Sequence, residues 1–170
     1  HPGAQIVIAV APGSSFDIRD SNGVARYDYL RQGIYTWQPS QNEQDDYSLV
    51  TPWGSEIAHV DDPSLILAGL SVYQPLGEQI YPDLQILSRA LELAAQPTPR
   101  PGMERAILFI TAQQAGEGVV GLQSLAARAA ELGIRIYTWV LAPQEFFAQQ
   151  ESAPLRAVSG QTGGRFFAYS

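Results

Sequence analysis

Three short stretches of this chain are so dense in β-branched, aliphatic and aromatic residues that they restrict the folds open to it: Gln5–Ala11 (QIVIAVA), Ala106–Thr111 (AILFIT) and Ile134–Leu141 (IRIYTWVL). A strand with one wet face alternates apolar and polar residues. A strand covered on both faces has no reason to alternate. These stretches are therefore expected to be central strands of a mostly parallel sheet. Between them the apolar period lengthens to three or four residues. Tyr27, Leu30, Ile34 and Trp37 share one stripe within Val24–Trp37, and Leu84, Leu87 and Leu91 share another within Asp83–Ala95. Val120–Leu132 is a further helix, ended by Gly133. Strands buried on both faces that alternate with amphipathic helices predict an α/β fold, a doubly wound sheet with helices on both faces.

The remaining elements are shorter. Tyr47–Val50 and Ile57–Val60 flank Thr51-Pro52-Trp53-Gly54 and read as a hairpin. It places Ile57–Val60 as an antiparallel edge strand, with strand order 3-2-1-4-5-6. Asp61-Asp62-Pro63 supplies a cap and a proline for a helix running to about Tyr73. Asp20-Ser21-Asn22-Gly23 is a turn. Pro143–Gln149 and Pro154–Gln161 are helical pieces, and Arg165–Tyr169 is the last strand. The Pro-rich connector Gln96–Gly102 is too short to separate domains. One domain over residues 1–170 is expected, and the start at His1-Pro2 reads as a piece of a longer protein.

Composition narrows the function classes. The net charge is −7, and every basic residue is Arg. Residues 1–85 hold eleven acids and three Arg, whereas residues 86–170 hold six and seven. An acidic surface repels a phosphate backbone, so nucleic acid is not an expected partner. The absence of Cys excludes disulfides and thiolate metal sites. No apolar run approaches the ~20 residues that span a bilayer, so direct membrane insertion of this segment is not expected.

In a doubly wound sheet, ligands bind beyond the carboxyl ends of the strands, here at 12–16, 81–85 and 112–118. Pro12-Gly13-Ser14-Ser15-Phe16 has neither the Gly-Lys-Ser/Thr of a phosphate-binding loop nor the G-x-S-x-G of a hydrolase elbow. A hydrolase using Ser14 would need His59, the only histidine besides His1, and no histidine follows it in the chain. His59 is read as an ordinary strand residue. Glu43, Asp45, Asp46, Glu56, Asp61 and Asp62 fit no calcium loop and are read as solvated loop and edge-strand acids. Trp53, in the hairpin turn, is a candidate partner anchor.

The order of elements, together with AILFIT and the ending Leu155-Arg156-Ala157-Val158 … Gln161-Thr162-Gly163-Gly164-Arg165-Phe166-Phe167, resembles a von Willebrand factor A (vWA) domain over nearly the whole chain. The resemblance implies a metal-ion-dependent adhesion site built from D-x-S-x-S after the first strand, a Thr before the helix with an Ala-Leu pair, and an Asp after the "I-T" strand. Carried over position by position, the first Asp falls on Val10 and the first Ser on Pro12. The second Ser falls on Ser14, the Thr on Gln85 and the last Asp on Ala112. Only Ser14 matches the pattern, and both carboxylates are gone. A hard cation needs several oxygen ligands, so no metal and no cofactor are expected. Asp17, Asp20 and Asp83 lie near these loops in sequence, and Asp17 and Asp83 are the candidate substitutes; the plainer reading makes Asp17 and Asp20 solvated or turn-forming acids and Asp83 a helix cap. The resemblance implies a non-catalytic protein-interaction or scaffold module with an unknown protein partner, in a cell-surface or secreted bacterial protein. The alternatives are a metal-dependent adhesion domain with substituted ligands and a small-molecule hydrolase using the Ser14 loop.

Overall fold

The structure is a computed structural model, which describes residues 2–11, 19–37, 44–52, 56–71, 83–112, 119–141 and 153–168. Its strands are β1 (Ala4–Val10), β2 (Asp46–Val50), β3 (Ile57–Val60), β4 (Glu104–Ala112), β5 (Ile134–Leu141) and β6 (Phe166–Ala168). Its helices are α1 (Arg26–Trp37), α2 (Pro63–Ser71), α3 (Asp83–Ala94), α4 (Val119–Glu131) and α5 (Ala153–Thr162). The strands form one sheet in the order β3-β2-β1-β4-β5-β6. Only the β2–β3 pair is antiparallel. This is the expected doubly wound α/β sheet with its antiparallel edge strand in the expected place.

The two faces of the sheet follow from strand alternation. Val7, Ala9, Ile107, Phe109, Ile136 and Val140 point to one face, where α3, α4 and α5 bury Leu87, Leu91, Leu122, Ala126, Leu155 and Val158 against them. Ile8, Val10, Tyr47, Leu49, Ile110 and Leu141 point to the other face. There α1 supplies Tyr27, Leu30 and Ile34, and α2 supplies Ile66 and Leu70. Every side chain named on the second face is at most 4% exposed. Each full burial of such a residue stabilises the fold by about 1.5–3 kcal/mol, so the two layers rather than surface pairs hold the domain together.

Local chemistry sets the element boundaries. Helix α1 starts at Arg26, two residues after the expected Val24, because residues 19–25 are already engaged. Arg19 and Ala25 form an antiparallel bridge. The Asp20 carboxylate accepts the N–H groups of Asn22 and Val24 at 2.8 and 3.0 Å, and Gly23 turns with φ +80°. Asp62 caps α2, accepting the Ser64 N–H at 2.9 Å. Gly133, at φ +70°, ends α4. Strand β4 begins two residues earlier than expected, at Glu104, because Ala4 to Val10 pair with Glu104 to Ile110 without a break. The helical piece expected at Pro143–Gln149 lies outside the described residues, as do Trp53 and Tyr73.

Candidate functional site

The carboxyl ends of β1 and β4 carry positions of the cation site that the resemblance implies. Val10 is the last residue of β1 and is wholly buried. It packs on the α1 face with Ile8, Tyr27, Leu30, Ile110 and Leu141. Beyond it, the Ala11 N–H donates to the Ile110 carbonyl at 2.8 Å, so β1 stays paired with β4 to its own end. Ala112 closes β4, and Thr111 before it is fully buried. Gln85 lies in the first turn of α3 with its side chain in solvent. Asp83 is the first residue of α3, and its side chain is not described. Pro12, Ser14 and Asp17 lie outside the described residues. The described positions therefore offer a buried valine, an alanine and an exposed amide. That set supplies one side-chain oxygen, too few for a hard cation, which gathers about six or more. Among the described residues no three His, Asp or Glu side chains lie close enough to hold a metal.

The Arg26 guanidinium donates to the Leu141 carbonyl at 3.1 Å, tying α1 to the end of β5. The Tyr27 hydroxyl donates to the Leu70 carbonyl and links α1 to α2. Burial pushes the Tyr27 phenol well above its ordinary value, so it stays a neutral donor.

The polar chemistry that the sequence reading missed sits at the other end of the sheet. His59 is not an ordinary strand residue. It has φ +53°, the one positive value among described non-glycine residues. The β2–β3 register shifts between Tyr47↔Val60 and Leu49↔Ile57, placing an extra β3 residue opposite β2. This is a β-bulge, a device that re-aims a side chain. The His59 N–H leaves the ladder and donates to Ser48 Oγ at 2.9 Å. Its ring Nδ1 lies 2.8 Å from Asp46 Oδ2 and 3.1 Å from Gln5 Nε2, and its Nε2 lies 2.6 Å from Gln96 Oε1. Gln5 is the second residue of β1 and Asp46 the first of β2. Ser14, the other member of a Ser14–His59 dyad, lies outside the described residues.

The acids of this region also depart from the expectation of a solvated cluster. Asp46 is 6% exposed. Asp45 accepts the Ala4 N–H at 2.8 Å. Glu56 takes two hydrogen bonds from Arg89, at 2.5 and 2.9 Å, and these hold its carboxyl below the ordinary value. Asp61 and Asp62 are exposed as expected, and so is Glu56 although it is paired with Arg89. Glu43 lies outside the described residues.

Known structures share this architecture. A conserved hypothetical protein, BatB from Bacteroides thetaiotaomicron, superposes with a TM-score of 0.76 at 17% identity, covering 99% of this chain and 91% of that one. An aerotolerance-related membrane protein from Bacteroides fragilis gives 0.68 at 17% identity, with coverages of 99% and 92%. The VWA domain of SpRpn10 gives 0.64 at 12% identity, with coverages of 99% and 88%. No family model and no curated protein matches the chain. The chain has the vWA-like fold, a Rossmann-like α/β sheet. Among its described residues no helix is long and apolar enough to cross a membrane.

Proposed function

We propose that this chain is a non-catalytic protein-interaction or scaffold module of vWA type whose metal-ion site has been lost. The carrying observation is Val10. It occupies the place where the family pattern puts its first carboxylate, and it is wholly buried in the apolar layer between the sheet and α1. A residue so placed stabilises the core and cannot ligate. Pro12 and Ala112 remove two further ligands from the same pattern, leaving Ser14 and, in place of the Thr, the Gln85 amide. The partner is read as a protein, bound without a bridging cation. A cell-surface or secreted setting is part of the proposal, supported by a structural neighbour named as a membrane protein.

Thermal unfolding with Mg²⁺ or Mn²⁺ tests the lost site. A cation that binds only the folded state at a hundredfold excess over Kd adds about 2.7 kcal/mol, which raises Tm by roughly 5–10 °C in a domain of this size. The expected result is no rise that EDTA reverses. A saturable rise that Ser14→Ala abolishes would overturn the reading in favour of an adhesion site with Asp17 or Asp83 as substitute ligands.

A further inference from the structure

The sheet turns an uneven sequence charge into a spatial one. Residues 1–85 hold eleven acids against three Arg, and residues 86–170 hold six against seven. Strands β2 and β3 come from the first part and lie on one side of β1, whereas β4, β5 and β6 come from the second and lie on the other. At the amino ends of β4 and β5 is a hollow of about 330 Å³, lined among others by Thr98, Met103, Glu104, Arg105, Leu132 and Arg135. It is at the opposite end of β4 from Ala112. Arg105 pairs with Ile134 and Arg135 with Ala106, so the two arginines stand on successive rungs and on opposite faces of the sheet, and both reach the hollow. Resting on the interaction-module reading, we infer that this hollow is where the protein partner docks, and that it takes an acidic segment with an aliphatic side chain beside the carboxylate.

The guanidiniums have donors to spare. Arg135 is exposed and makes no hydrogen bond or ion pair with the described residues. Arg105 is half-buried and donates to the Gln96 carbonyl at 3.3 Å. A guanidinium presents several N–H groups in a planar fork, which matches a carboxylate two at a time. Around the hollow cations outnumber acids. Arg100, tied to the Pro2 and Gln44 carbonyls, and Arg128, whose carbonyl accepts the Leu132 N–H at 3.1 Å, join Arg105 and Arg135 against Glu104 and Glu131. In a chain of net charge −7, that makes this end of the sheet the place for an acidic partner.

Other features select a polypeptide over a free anion. Leu132 is 39% exposed and Met103 is buried, so the hollow has apolar surface beside its charges. The exposed Glu104 carboxylate lines it without an ion pair among the described residues. It repels a compact anion such as inorganic phosphate and offers an acceptor to a peptide N–H. The volume is at the lower end of ligand sites, roughly 300–1,000 Å³, and suits a side chain or two rather than a cofactor. The cleft between α1 and α2, lined by Tyr35, Leu67 and Leu70, holds one acid and one base, Asp28 and Arg31, so its charge selects no partner.

The test uses the full chain, ¹⁵N-labelled. The probe is a blocked pentapeptide of alternating glutamate and leucine, with its lysine–leucine counterpart and inorganic phosphate as comparisons. The glutamate peptide should move the amides of Glu104, Arg105, Gly133, Ile134 and Arg135 saturably, and less as salt is raised. The lysine peptide and phosphate should leave them in place. Arg135→Gln removes a side chain with no partner in the described fold and should weaken binding about tenfold. Glu104→Gln removes the like charge from the hollow and should tighten binding, so the two variants move in opposite directions. No saturable movement overturns the proposal, as does an equal response to the lysine peptide or to phosphate, or variants that bind as the parent does. Movement at Tyr35, Leu67 and Ser71 instead would place the peptide between α1 and α2 and overturn it too. Each of these outcomes strikes the hollow alone, whereas an EDTA-reversible rise of Tm in Mg²⁺ or Mn²⁺ strikes the module reading itself.

Discussion

At the scale of single residues, burial decides what a side chain can do. Val10 is wholly enclosed by apolar neighbours. Val10→Asp would lose the valine's burial and leave an unpaired carboxyl in its place. The expected cost is about 3 kcal/mol or more at neutral pH, read as a lower urea midpoint. An unchanged midpoint would mean that the site accepts a charge. Arg89 is the opposite case. Its bond to Glu56 is bidentate, but the two side chains are 43% and 31% exposed, so solvent screens the pair. Arg89→Ala is expected to cost no more than about 1 kcal/mol at pH 7. Because Arg89 holds the Glu56 carboxyl below its ordinary value, the contribution is complete above the ordinary carboxylate range. It disappears as pH falls through the folded value. Parent and variant stabilities should therefore converge in acid, and a gap that persists there would show that packing is responsible.

At the scale of elements, the Thr162-Gly163-Gly164 run explains itself once α5, β5 and β6 are seen together. Strand β6 first pairs with β5 at Thr138, so the Ile136 N–H below it has no strand partner on that side. Thr162 Oγ1 accepts that N–H at 2.8 Å, and Ser159 Oγ donates to Thr138 Oγ1 at 2.8 Å. Gly163 turns the chain with φ +79°, and Gly164 passes directly over the Ile136 backbone. A Cβ at Gly164 would strike the Ile136 carbonyl, whereas one at Gly160, on the exposed side of α5, meets open space. Opposite signs follow. Gly164→Ala should cost about 2 kcal/mol or more, while Gly160→Ala should gain roughly 0.5–1 kcal/mol of helix propensity. Chemical denaturation of both variants checks this, and equal effects would contradict the close-approach account.

At the scale of the whole molecule, order should decrease from the sheet centre outwards. β1, β4 and β5 are paired on both sides and covered by helices on both faces, whereas β3 and β6 each have one strand neighbour. Native-state hydrogen exchange should find the slowest amides in β1, β4 and β5, close to the global unfolding limit, and faster opening in β3 and β6. Amides of β3 as slow as those of β4 would show a uniformly cooperative sheet instead.

What the sequence determined by itself is what local pattern controls. Unbroken apolar runs specified strands buried on both faces, a three-to-four residue period specified helices, and Asp62 and Gly133 marked helix ends. Chain order then constrained the sheet, because parallel strands joined through helices have few acceptable arrangements. That Val10, Pro12 and Ala112 have no side-chain oxygen was also legible, whatever the fold. The tertiary structure decided everything that depends on residues distant in sequence. Asp46 read as one more solvated acid and is buried, because β1 pairs with β2 from Gln5↔Asp46 onward. His59 read as a strand residue and is a pinned bulge, because its partners come from β1, β2 and the end of α3. No periodicity encodes a contact spanning 54, 13 or 37 residues, so that polar cluster existed only once the sheet had assembled.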